Sequence, residues 1–160
     1  MVGNDGWESS ATDIIGIHDY DANLEQLRQR YGAEIEREQL FEERRPGGRI
    51  LTLDAHPHRG QPIVLTEFGG IAYDKRRAAG VDNVWGYSVV HDDEEFARNY
   101  HQLLHVIANT ALFSGFCYTQ FTDTFQEANG LLYADRTPKI PLELIAEATS
   151  ASPTHVRGVV

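Results

Sequence analysis

The sequence predicts an α/β fold built on a parallel sheet, and three observations lead there. Short apolar, mostly β-branched segments alternate along the chain with amphipathic or charged helical segments. Each apolar segment runs out into polar and aromatic residues, the pattern of parallel strands whose C-terminal ends carry chemistry. The chain has 160 residues, of which 41% are hydrophobic and 24% charged. That is enough for one domain with a real core, but short of the roughly 250 residues of a complete eight-fold α/β barrel.

The stretch Gln61–Gly70 organises the rest. Pro62 opens it, and Ile63, Val64 and Leu65 read as a strand buried on both faces. Glu67 arrives where the apolar run stops, followed by Phe68, Gly69 and Gly70. An acid is thereby offered at the mouth of a sheet, beside a turn that lets other groups come close. The alternative for Glu67 alone is a solvated strand-end residue.

The elements before it follow in order. Residues 1–8 read as the end of a strand leading into a loop. Thr12 to Tyr20 is a second strand, with Ile14, Ile15 and Ile17 as its body and His18, Asp19 and Tyr20 at its exit. Asp21 is placed to cap a helix through about Arg30, with Leu24, Leu27 and Tyr31 on one face. Glu34 to Arg45 is charged and helix-prone, a solvated surface element. Arg45 to Gln61, with Pro46, Gly47, Gly48, Pro57 and Gly60, is connection.

After the Glu67 strand comes a polar stretch, Tyr73 to Val90, containing Trp85, Gly86 and Tyr87; loops of this length are more often functional than accidental. The clearest helix starts at His91-Asp92-Asp93, with acids suited to the helix dipole. Phe96, Tyr100, Leu103, Leu104 and Ile107 form its single apolar stripe. Leu112 to Gln120 is a fourth strand, and Asn129-Gly130 marks a turn. A last helix spans about Pro141 to Thr149, with Pro141 near its first turn. Residues 150–160 read as a loose tail. No internal repeat is visible.

Composition excludes several functions. A formal charge of −10 disfavours binding to nucleic acid or to an anionic membrane. No apolar run approaches the length of a membrane span and no signal peptide is visible. The reading is of a soluble chain whose compartment is open, with the cytoplasm preferred. Cys117, the one cysteine, lies in an apolar-aromatic run and reads as a buried structural thiol. No metal is expected: His56 and His58 sit in a Pro/Gly-rich connection without a ligand framework, and Gln102 follows His101 where a metalloprotease has Glu. Phosphate-cradling and G-x-S-x-G motifs are absent. No cofactor is expected.

Glu67, Asp5, Asp19 and Asp123 all stand at strand exits, with Trp7, Tyr20, Trp85 and Tyr118 nearby in sequence. Carboxylates plus aromatics at one rim suit a sugar, the acids for bond cleavage and hydroxyl contacts, the aromatic faces for the C–H surface of the ring. A glycosidase nucleophile must be ionised and held by donors such as Tyr20 or His18. Core packing for each aromatic, and a loop or capping role for each Asp, remain the competing assignments.

Four segments, in order, resemble the C-terminal part of the catalytic (β/α)8 barrel of glycoside hydrolase family two, the β-galactosidase and β-glucuronidase group. They are Gly3-Asn4-Asp5-Gly6-Trp7-Glu8, Asp13 to Tyr20, Pro62 to Gly70, and Tyr118-Thr119-Gln120-Phe121-Thr122-Asp123 continuing to Asp135-Arg136. The resemblance implies a partial TIM barrel over residues 1–149, its strands five to eight with their helices. It implies that Glu67 is the nucleophile of a retaining hydrolase, and that Asp5, Trp7, His18, Tyr20, Thr119, Gln120 and Asp123 contact the carbohydrate. Thr119 and Gln120 stand where many members carry Trp, which leaves the sugar open.

The family's general acid/base is a Glu after an Asn on strand four, and no Asn-Glu pair exists in these 160 residues. Met1 reads as an arbitrary start, so the chain reads as a fragment that is inactive or nearly so by itself. Half a barrel exposes the inner face of its sheet and two edges. The expected partners are therefore a carbohydrate and either the remainder of the barrel or a second copy of the chain. The alternative is a non-catalytic carbohydrate-binding or structural fragment of the same fold, and a flavodoxin-like α/β fold stands third.

Overall fold

The computed structural model describes residues 1–44, 48–76, 85–124 and 126–150. The chain is mixed α/β with parallel sheets. Its elements are β1 (Ile15–Asp19), α1 (Leu24–Tyr31), α2 (Arg37–Glu42), β2 (Ile63–Gly69), β3 (Ile71–Ala72), β4 (Ser88–Val89), α3 (Asp93–Ala108), β5 (Gly115–Thr119) and α4 (Leu142–Ser150). The main sheet has the order β1-β2-β5 and is parallel throughout, so helices fill the connections. A second, two-stranded parallel sheet joins β3 to β4.

One face of the main sheet makes the core. Ile15, Ile17, Ile63, Leu65 and Phe68 are buried there with Leu27 and Tyr31 of α1 and the whole stripe of α3. Phe96, Tyr100, Leu103, Leu104 and Ile107 are all buried, as their spacing predicts. Each such side chain contributes roughly 1.5–3 kcal/mol on leaving water. Phe116 and Tyr118 of β5 pack against the same cluster, and both rings meet Phe68 edge-on.

The other face is more open. Val64 is only half-buried, although its apolar run predicts burial on both sides, and Cys117 is exposed rather than a buried thiol. Both differences have one cause. The described helices pack on the face of Leu65 and Phe116, and alternation along a strand turns Val64 and Cys117 away from it.

Helix ends explain the smaller differences. Asn23, not Asp21, caps α1, its side chain accepting from the backbone N–H groups of Glu25 and Gln26. Asp21 instead accepts from the Asn23 N–H and from Arg30. Asp92 caps α3 by accepting from the Glu95 N–H at 2.7 Å. The strand predicted at the N-terminus reduces to a single parallel bridge from Val2 to Ile14, because Asn4 to Trp7 turns back on itself through the Asn4 side chain. α4 ends at Ser150, and the tail expected after it lies outside the described residues. No helix among the described residues is long and apolar enough to cross a membrane.

Candidate functional site

The site forms around an irregularity in β2. Ile17 pairs with Leu65 but His18 pairs with Glu67, so Thr66 is an extra residue in the ladder. The register against β5 shifts in the same interval. Leu65 and Phe68, three positions apart, therefore both stay in the core, while Thr66 and Glu67 together escape it. Bulges are rare in parallel pairs, and where they occur they re-aim side chains.

Glu67 then meets two side chains from the end of β1. Tyr20 donates its hydroxyl to Glu67 Oε2, and His18 Nδ1 stands 3.3 Å from the same oxygen. Burial, and next the bond to Glu67, push the Tyr20 phenol above its ordinary value. The hydroxyl thus remains a donor across the working pH range. Tyr20 also lies 3.4 Å from Thr119 Oγ1.

A second carboxylate faces the far side of the His18 ring. His18 Nε2 is 3.3 Å from Asp5 Oδ2, buried but without hydrogen-bond alignment. Thr66, the bulged residue, donates to Asp5 Oδ1 at 2.7 Å. Close approach makes this possible, since a Cβ at Gly16 would stand 1.8 Å from Asp5 Oδ1. Trp7 meets the His18 ring edge-on at 5.1 Å. Asp5, Trp7, His18, Tyr20, Glu67 and Thr119 are therefore gathered at one end of the sheet.

Gln120 and Asp123 point elsewhere. Gln120 donates to Asn129 Oδ1 at 2.7 Å and to Glu127 Oε2 at 3.2 Å. Asp123 pairs with the fully buried Lys139 at 2.7 Å and accepts from the Gly130 N–H. Asp19, also a strand-exit acid, is buried under Arg30 and the Tyr31 hydroxyl. Thr66, Tyr87 and Arg30 are neighbours of the site that the sequence reading missed. Two successive polar residues between Leu65 and Phe68 were the available signal for Thr66.

A cleft of about 420 Å³ is lined by Trp7, His18, Asp19, Tyr20, Asp21, Arg30 and Tyr87, so it reaches the His18 and Tyr20 partners of Glu67 but not Glu67 itself. A larger hollow of about 580 Å³ lies between α2 and residues 50–58 and contains none of the predicted site residues. His58 stacks on Phe41 there. Among the described residues no group of three or more His, Cys, Asp or Glu side chains is arranged to hold a metal ion.

No protein-family model matches the chain, and no curated protein matches it either. Among solved structures it is similar to a β-glucuronidase of Bifidobacterium dentium in complex with coumarin-3-O-glucuronide. The TM-score is 0.41 and the identity 22%, over 59% of this chain and 15% of that one. The chain thus spans a small part of that protein's length, and a likeness of this size decides neither fold nor function.

What the geometry can do follows from its charges. Glu67 is a half-exposed carboxylate gripped on one oxygen by a phenol and flanked by an imidazole. Such an oxygen is held in one orientation, which suits attack on an electron-poor carbon. Asp5 is anchored to the sheet through Thr66 and separated from Glu67 by the His18 ring.

Proposed function

We propose that the chain is part of a retaining glycoside hydrolase cleaving O-glycosidic bonds, of the β-galactosidase and β-glucuronidase kind, with Glu67 as its nucleophile. The observation that carries this reading is the convergence of Tyr20 and His18 on one oxygen of a carboxylate at a strand's C-terminal end. In this reading the parallel β1-β2-β5 sheet, with Val2 bridged beside it, is strands five to eight of a partial (β/α)8 barrel.

Glu67 Oε1 or Oε2 attacks the anomeric carbon, the C–O bond to the aglycone breaks, and the electron pair leaves on the aglycone oxygen. Water then adds to the anomeric carbon and releases Glu67. Both steps need a proton donor and acceptor about 5–5.5 Å from the nucleophile. Asp5 stands behind the His18 ring and bonds to Thr66, so the reading assigns that role to a group outside this chain. Hydrolysis of ordinary glycosides by the chain alone is then slow. The open sheet face, with Val64 half-buried and Cys117 exposed, is where the remainder of the barrel or a second copy would pack.

The test is covalent labelling with a fluorinated β-glycoside that carries a leaving group needing no protonation. We expect one glycosyl group on Glu67 by peptide mass, and none in Glu67→Gln. An unmodified Glu67 under conditions that label an intact family-two enzyme would remove the catalytic reading. A folded chain that stays unmodified yet binds sugar would favour the carbohydrate-binding alternative.

A further inference from the structure

Helix α3 carries metal-ligating groups on the side turned away from the sheet. Phe96, Tyr100, Leu103, Leu104, Val106 and Ile107 take its inner face into the core. His101 and His105, four positions apart, stand exposed on its outer face. Side chains at that spacing are neighbours on a helix surface. The two rings lie parallel, with planes 5° apart and centroids separated by 6.4 Å. This spacing is how a helix offers two imidazoles to one metal ion.

Position and charge both favour a cation there. His105 lies in the last turn of α3, and Asn109 caps the helix. The negative end of the helix dipole is at that place, with the carbonyls the helix leaves unpaired. The Asn109 side chain donates to His105 O at 2.7 Å, and its amide nitrogen lies 3.4 Å from His105 Nδ1. One edge of the His105 ring is thereby turned to the helix end. Its Nε2 and both nitrogens of His101 have no hydrogen-bond partner among the described residues. Arg98 is the sole Lys or Arg of α3 and is exposed, so its charge is screened and its long side chain can turn away. The chain as a whole carries a formal charge of −10, which draws cations to its surface.

The donor set selects the ion. Imidazole suits zinc, copper and nickel, whereas magnesium and calcium take oxygen ligands. An ion at about 2.0–2.1 Å from each Nε2 needs the rings about 1–2 Å closer than they stand. Rotation about the side-chain torsions of two exposed residues supplies that movement. We propose that His101 and His105 form a two-point chelate for a divalent transition-metal ion on the outer face of α3, with water in the remaining positions. An ion held this way binds the folded helix better than the unfolded chain and so stabilises it. Gln102 in place of Glu removes a metalloprotease mechanism and leaves both ligands where they are. The site does not depend on the glycosidase reading.

The test titrates the untagged full chain with zinc, nickel and magnesium chlorides, followed by calorimetry and by the denaturation midpoint. A Cys117→Ser, His56→Gln parent removes an exposed thiol and an exposed imidazole that would also take zinc. We expect zinc and nickel to bind this parent, magnesium not to, and the midpoint to rise with zinc and return with EDTA. His101→Asn and His105→Asn should each weaken zinc binding by about tenfold or more, because the second ligand acts at high effective concentration. The double variant should bind no more weakly than either single one. Gln102→His combined with His105→Asn keeps the number of histidines but sets them side by side, where they do not face each other. It should behave like His105→Asn. All these positions on α3 are exposed, and circular dichroism confirms that the variants fold.

Zinc bound as tightly by His105→Asn as by the parent overturns the chelate. So does full affinity in the side-by-side variant, which would show that histidine count and not spacing matters. A magnesium response equal to that of zinc would assign the binding to carboxylates and would also overturn it.

Discussion

Tyr20 donates its hydroxyl to Glu67 Oε2, joining the end of β1 to the irregular turn of β2 across 47 positions of sequence. The bond aims the carboxylate, and burial, then the bond itself, keep the phenol protonated. Around this pair the site has a second tier: His18 on the same oxygen, Asp5 behind His18, and Thr66 behind Asp5.

Tyr20→Phe keeps the ring stacked on Tyr87 and removes only the donor. We expect the rate of Glu67 labelling to fall by about tenfold to a hundredfold, since the phenol orients the nucleophile and a misplaced one reacts that much more slowly. Stability should change by about 1 kcal/mol. An unchanged labelling rate would show that the bond does not serve the nucleophile.

Gly16→Ala puts a methyl group into the space of Asp5 Oδ1. Asp5 is 40% exposed at its side chain and can swing outward. The expected outcome is a modest loss of stability, about 1–2 kcal/mol, and loss of the Thr66–Asp5 bond. The denaturation midpoint gives the first, and amide and methyl NMR shifts at Thr66 give the second.

Asp123→Asn should be costly in another way. Lys139 is fully buried and its ammonium pairs with Asp123, donates to Ala128 O, and lies near the Phe96 and Tyr133 rings. Removing the carboxylate leaves a cation in low dielectric, and about 3–5 kcal/mol should go. The double variant Asp123→Asn with Lys139→Met should recover much of it in a denaturant titration. A double variant as unstable as the single one would contradict this account.

Two pH limits follow from named groups. Bonds from Lys75 and then Tyr73 hold the Asp93 carboxyl below its ordinary value. A lowered folded value means that this stabilisation is full above the unfolded carboxylate range and is lost as pH falls through the folded one. Asp93→Asn should flatten the acid limb of a stability–pH curve. At the other end, burial raises the Tyr20, Tyr73, Tyr100, Tyr118 and Tyr133 phenols above 10.0. Their contribution is complete below about pH 10 and declines above it. In a Tyr87→Phe background, which removes the exposed phenol, phenolate absorbance should therefore rise together with loss of helical signal; phenolate formed at these five residues in a still-folded chain would refute the assignment.

The legible parts of the chain were those written in local pattern. Phe96, Tyr100, Leu103, Leu104 and Ile107 announce α3 by spacing alone, and Glu67 stands out because its acid interrupts an apolar strand. The cap of α1 falls two positions after Asp21 because Asp21 and Asn23 are both good caps and only the arrival of Arg30 decides between them. Cys117 is exposed rather than a buried thiol because an apolar neighbourhood in sequence says nothing about whether a sheet face is covered. Asp123 and Asp5 look alike as strand-exit acids, yet one meets Lys139 and the other His18, and both partners are distant in sequence. The stacking of Tyr87 on Tyr20 depends on the bare backbone at Gly70, which no periodicity reports.

The supernumerary Thr66 makes the placing of two polar neighbours a matter of parity. Deleting that one residue would restore plain alternation, with Leu65 and Phe68 inward and Glu67 opposite, and would erase the bulge that turns two successive polar side chains out of the core, taking the Thr66–Asp5 bond with it. A chemically conservative replacement at Thr66 would be tolerated far better than its removal. Nature's spelling of this strand is thus constrained in its count before it is constrained in its letters.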